Sequence, residues 1–220
     1  MRFSRLGLLV LLSIGVAAAG NFSYTGAFSQ DDDLQVFLFT APSASTLVRT
    51  WGYAGGMNDA GQMILPGGFD PILSVFDATG GLVASSLLVA SNNDGAGVAV
   101  DPVTGNASDS LLLLNALNPG GIYALVLTQN DNTANGPTYG DGFSRTGQGN
   151  FTAGAFGCPG PDPFCDASTF QRNGQWAVDI LGVGSATEVN AGTVPEPGTT
   201  MLLVTGLSSL VLLGRRKNKA

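Results

Sequence analysis

No histidine occurs in the chain. That absence removes Ser-His-Asp and Cys-His catalysis and most zinc chemistry, since both depend on imidazole as base or ligand. Lysine is missing between residues 20 and 193, and Glu188 is the one glutamate there. Glycoside hydrolysis needs two carboxylates facing across a cleft, whereas the aspartates of this chain sit in short turn-like runs. The two cysteines, Cys158 and Cys165, form no CxxC, which argues against thiol–disulfide catalysis. Charged residues make up only 11% of the chain, and long helices need Glu, Lys, Arg and Gln on their surfaces. No long stretch between the two ends has the period of an amphipathic helix. These absences together predict a protein that is not an enzyme.

What is abundant is glycine, 32 of 220 residues, together with Asn, Asp, Ser and Thr. These residues favour turns between short strands. The charge is unevenly distributed. Positive residues concentrate at the ends, with Arg2 and Arg5 in front and Arg215, Arg216, Lys217 and Lys219 behind. Between residues 20 and 193, three arginines face fifteen acidic residues, a net charge of about −12. A body that acidic repels nucleic acid and anionic surfaces, so no nucleic-acid partner is expected. Its acidity serves solubility, and it also allows clustered aspartates to attract hard cations.

Residues 1–19 read as a secretory signal peptide. Arg2 and Arg5 precede an apolar run from Leu6 to Val16, and Ala17, Ala18 and Ala19 are small residues suited to cleavage before Gly20. Residues 20–190 form the body, and residues 191–220 form a distinct tail. The tail opens with Pro195, Glu196 and Pro197, continues with an apolar stretch from Gly198 to Gly214, and ends in Arg215, Arg216 and Lys217. As a helix the apolar stretch would span roughly 25 Å, the short limit for crossing a bilayer. The basic stop after it places the body on the outer side of the inner membrane, and the two prolines keep the preceding chain extended.

That order of parts resembles the PEP-CTERM sorting signal of Gram-negative bacteria. The resemblance implies recognition of Pro195, Glu196 and Pro197 by an exosortase after passage through the Sec export machinery. It also implies removal of the tail, in the manner of a GPI signal, and delivery to the cell surface or an exopolysaccharide matrix.

In the body, "FSYTGAFSQDDDLQVFLFT" reads as a hairpin turning at Asp31, Asp32 and Asp33, with its second strand central because both faces are apolar after Val36. "STLVRTW" is a third strand. "PILSVFDATGGLVASSLLV" is a second hairpin, turned by Asp77, Gly80 and Gly81. Leu111–Leu114 and Ile122–Thr128 are two more strands, with Pro119, Gly120 and Gly121 between them, and residues 174–183 are the last. The expected fold is all-β, an antiparallel β-sandwich or jelly roll flanked by a signal helix and a transmembrane helix. The segments "DDDLQVFLFT", "TWGYAGG", "GGFDPILSVFDATG", "NNDG", "GIYALVLTQNDN", "DGFSRTGQGNFT" and "RNGQWAVDI" together resemble the DVUA0089 family of secreted PEP-CTERM proteins. More distantly, the strand sequence is similar to the bacterial pre-peptidase C-terminal domain, a small jelly roll. The resemblance implies the fold and supplies no activity.

Three constellations could carry chemistry. The first is the set of acidic turns. Their oxygen-only side chains suit calcium, with Asp31, Asp33, Asn93 and Asp94 as the candidate ligands; alternatively they simply hydrogen-bond their own backbone. The second is "GGFDPILSVFD", a structural turn and strand in which Asp70 and Asp77 are candidates for binding. The third is the pair Cys158 and Cys165, expected to close a structural disulfide in the oxidising compartment that an export signal implies. Trp51, Tyr53 and Trp176 are either core residues or platforms for stacking sugars.

Overall fold

The computed structural model describes residues 18–159 and 163–189. Two antiparallel sheets carry the fold. The first contains β1 (Gly20–Ala27), β3 (Thr46–Thr50), β8 (Leu111–Leu114) and β10 (Gln175–Val183), in the order β1-β10-β3-β8. The second contains β2 (Gln35–Thr40), β6 (Pro71–Asp77), β7 (Leu88–Asn93), β9 (Ile122–Gln129) and β11 (Ser185–Val189), in the order β11-β2-β9-β6-β7. A small two-stranded ribbon, β4 (Gly56–Met57) with β5 (Met63–Ile64), projects from one end. Among the described residues, helix is confined to α1 (Thr152–Phe156) and one 3-10 turn at Tyr139–Asp141. The protein is all-β and sandwich-like, as its turn-rich composition predicts.

The core follows from alternation along the strands. Phe37 and Phe39 of β2, Leu73 and Val75 of β6, and Leu125 and Leu127 of β9 point inward, where they meet Val48, Trp176, Val178 and Ile180 of the opposing sheet. The other face of the five-stranded sheet is also covered. Phe76, Ala124 and Val126 pack there beneath Tyr139 and Phe143, which belong to the long segment after β9. Covering both faces explains the apolar runs in β6 and β9, where alternation is lost. β2 is likewise internal, between β11 and β9, as its two apolar faces require.

Strand pairing differs from the sequence reading in three places. β1 and β2 do not form a hairpin: β1 pairs with β10 and β2 with β9, so the aspartate turn arches from one sheet to the other. The period of two in each strand is the same for a hairpin and an arch, so it cannot distinguish them. β6 and β7 do pair, but β7 starts only at Leu88, so residues 78–87 form a ten-residue connection in place of a tight turn after Asp77. β10 is not the last strand. Gly182, at φ 76°, and Gly184 let the chain swing across to the other sheet and continue as β11 beside β2.

The registers put the short connections at one end, around residues 41–45 and 115–121. The long ones gather at the other end, where Ala27 meets Gln175, Gln35 meets Leu127, and Pro71 meets Gln129. Most aspartates of the body lie at this long-loop end. The signal peptide up to Ala17, the segment Pro195, Glu196 and Pro197, the apolar tail and the basic stop at Arg215, Arg216 and Lys217 all lie outside the described residues. Among the described residues no helix is long and apolar enough to cross a membrane.

Candidate functional site

Asp31 is fully buried in the arch between β1 and β2. Its carboxylate accepts hydrogen bonds from the Thr152 backbone N–H and hydroxyl and from the Phe164 N–H. It therefore anchors α1 and the end of the loop that the disulfide closes. Asp33 turns back on its own loop, accepting from the N–H groups of Ser29 and Gln30 at 2.7 and 2.9 Å. Asp32 accepts from Gly147 N–H at 2.8 Å. The first acidic turn thus uses all three of its carboxylates to tie backbone.

A second knot surrounds Arg172, a nearly buried arginine. Its three nitrogens donate to Gly68 O at 2.8 Å, Asp101 Oδ2 at 2.9 Å and Tyr53 O at 2.6 Å, and the guanidinium stacks 3.8 Å over the Tyr53 ring. Tyr53 donates its hydroxyl to Asp166 at 2.8 Å, and Asp109 accepts from Thr50 and from the Tyr53 and Ala54 N–H groups. Burial opposes the Asp101 charge, but hydrogen bonds from Thr104 and Arg172 outweigh it and hold this carboxyl below the usual range. Burial pushes Asp109 up, its hydrogen bonds acting in the other direction.

Asp179, on β10, makes a third knot. It accepts from Ser23 Oγ, Arg49 Nε, Trp51 Nε1 and the Asp59 N–H. Neither this residue nor Arg172 was singled out from sequence. The one available signal was that a charged residue in the apolar alternation of "GQWAVDILGV" must find partners once buried.

The fourth cluster is different. Asp70 immediately precedes β6 and is only 6% exposed. Its Oδ2 accepts from Asn130 Nδ2 at 3.2 Å, but its Oδ1 has no partner among the described residues. Asn130 in turn accepts from Asn93 Nδ2 at 3.3 Å, at the end of β7. Asp94 follows, exposed and in the left-handed conformation at φ 64°. Burial first, then the charges of Asp94, Asp166 and Asp109, raise the Asp70 carboxyl to about 8, with Arg172 giving partial relief. Burial raises Asp94 as well, against a Ser108 hydrogen bond.

The structure therefore divides the four candidate calcium ligands. Asp31 and Asp33 face backbone donors, while Asn93 and Asp94 lie beside Asp70 at the end of β6 and β7. All four are at the long-loop end, in two pairs on two different segments. Among the described residues no group of three or more acidic, cysteine or histidine side chains gathers in a metal-holding arrangement. Asp77 lies at the opposite end of β6, where its carboxylate accepts from the Thr79 N–H and is held low by that bond.

Cys158 and Cys165 form a disulfide. It closes the Pro-rich loop beside Phe164, which stacks on Phe69. Tyr53 and Trp176 are core residues, and Trp51 is half-buried beneath Arg49 at 4.4 Å. A shallow groove of about 380 Å³ runs along Thr25–Ala27, Met63–Leu65 and Trp176, and no ionisable side chain lines it. No family model, no curated protein and no solved structure matches the chain.

Proposed function

We propose that the protein is an exported, non-enzymatic component of the cell envelope or exopolysaccharide matrix. Its β-sandwich, read as a jelly roll, is the cargo, and its C-terminal segment is the address. The observation that carries this reading is the order Pro195-Glu196-Pro197, apolar run, then Arg215-Arg216-Lys217. In this reading the Sec machinery exports the chain and cleavage occurs between Ala19 and Gly20. The tail then holds the body at the inner membrane, outside the cytoplasm, until an exosortase acts at Pro-Glu-Pro.

The buried carboxylates support a structural body. Those of Asp31, Asp109, Asp166 and Asp179 are each tied by hydrogen bonds to backbone N–H groups, the use expected of carboxylates that hold loops in place. The reading is tested by fractionating cells that make the wild type or a Glu196→Ala variant. The wild type is expected at the surface or in the medium, and the variant retained in the inner membrane. Equal distribution of the two would refute it.

A second reading, a calcium- or carbohydrate-dependent adhesion module, is favoured by one observation: the loops of the acidic end converge on a buried carboxylate oxygen with no donor.

A further inference from the structure

We propose that Asp70 and Asp94 form a calcium site at the long-loop end, completed by backbone oxygens of the adjoining loops and by water. This deepens the second reading and is independent of how the tail is processed.

The argument starts from charge. A buried carboxylate needs hydrogen bonds, a cation or a proton. Asp70 receives one amide hydrogen bond, and its other oxygen is orphaned at 6% residue exposure. No side chain of the body can supply the missing cation. Lysine and histidine are absent there, and the three arginines are committed: Arg49 to Asp179, Arg145 to Asp131 and Arg172 to Asp101. β6 and β7 pair with Ile72 opposite Asn93, so Asp70 and Asp94 stand at neighbouring strand ends, and Asp94 makes the largest like-charge contribution raising Asp70. Two carboxylates at neighbouring strand ends repel each other unless a cation lies between them.

The chemistry of the surroundings selects the ion. The ligand atoms on offer are oxygens, from two carboxylates and backbone carbonyls, and Asp94 is open to solvent beside the buried Asp70. Calcium accepts such irregular sets and fills remaining positions with water, whereas magnesium demands a near-ideal octahedron. With one buried and one exposed carboxylate, the expected affinity is that of extracellular modules, about 10⁻⁴–10⁻³ M.

The test is isothermal titration of Ca²⁺ into the exported protein in the form in which its host accumulates it, purified and stripped with chelator, alongside Asp70→Asn and Asp94→Asn. Near-UV circular dichroism checks that each variant is folded. The proposal expects one ion per chain and a loss of about tenfold or more in affinity in each variant. It also expects calcium to raise the melting temperature of the wild type and to leave that of Asp70→Asn nearly unchanged. Three results would overturn it. One is the absence of heat and of a melting shift at about 10 mM Ca²⁺, well above that affinity range. The second is binding that both variants retain, which puts calcium elsewhere. The third is an Asp70→Asn variant more stable than the wild type at every calcium concentration, which makes Asp70 a protonated acid. If Asp70→Asn fails to fold, Asp94→Asn, whose side chain lies at the surface, decides alone. None of these failures touches the sorting reading, which is judged by fractionation.

Discussion

Replacing Arg172 by methionine removes the centre of the long-loop end. Methionine keeps the apolar stem and loses the guanidinium, so the effect isolates the polar contacts. Three hydrogen bonds disappear, to Gly68 O, Asp101 and Tyr53 O, together with the stacking on Tyr53. Asp101 remains as a fully buried carboxylate whose side-chain donors reduce to Thr104. Breaking one partner of a buried ion pair costs about 3–5 kcal/mol, because the other charge is left without compensation. The two orphaned carbonyls add to this, and the methionine stem offsets part of it, so the net loss expected is about 4 kcal/mol. A domain of this size has roughly 5–15 kcal/mol in total. At about 2–4 °C per kcal/mol the melting temperature should fall by roughly 8–16 °C. Urea denaturation followed by tryptophan fluorescence measures the loss. Asp101→Leu on top of Arg172→Met should recover part of it, since the buried charge is then gone as well. A loss below about 1 kcal/mol in a properly folded Arg172→Met protein would refute the reasoning. The loops would then be held by something other than this knot.

Three further outcomes follow from the same contacts. Asp70 is raised from 3.8 to about 8, so folding favours its protonated form. In chelator, its contribution is fully present below the unfolded value, declines as pH rises and is lost above about 8, with an upper bound of roughly 5–6 kcal/mol; parallel stability–pH curves for wild type and Asp70→Asn would contradict this. Joint Cys158→Ser and Cys165→Ser substitution opens an eight-residue loop and should cost about 2–3 kcal/mol, read as a melting shift, with no shift counting against a structural role. A Cβ at Gly68 would stand 2.3 Å from Gln175 O and 2.7 Å from Gly52 O, both backbone, so Gly68→Ala should lose about 1–3 kcal/mol or more in the same assay, and a neutral result would argue against this close approach.

Strand content was legible because the period of two survives in β1, β3 and β10, and because Leu111–Leu114 is bounded by polar turns. Partnering was not, because a strand that arches to the opposite sheet has the same alternation as one that folds back. β11 was missed for a related reason. "SATEV" is short and polar, and as an edge strand it rests one face on β2 with little apolar signal of its own. The disulfide could be read from two cysteines behind a segment that reads as an export signal. The acidic end was half legible. Clusters of Asp and Asn announce turns, but whether a given carboxylate caps backbone, as Asp31 and Asp33 do, or stands orphaned, as Asp70 does, depends on contacts from residues far along the chain. Asn130, which reaches Asp70, is sixty positions away. Arg172 gave no local signal, because its partners are carbonyls and a carboxylate brought together only by the fold.

The central claim is that the chain is exported, sorted and released. The most direct test is the mass of the terminal peptides of the protein recovered from its host. The account predicts a chain beginning at Gly20 and ending near Pro195–Pro197, found at the surface or in the matrix. A chain that still runs through Ala220 in the membrane fraction would contradict it.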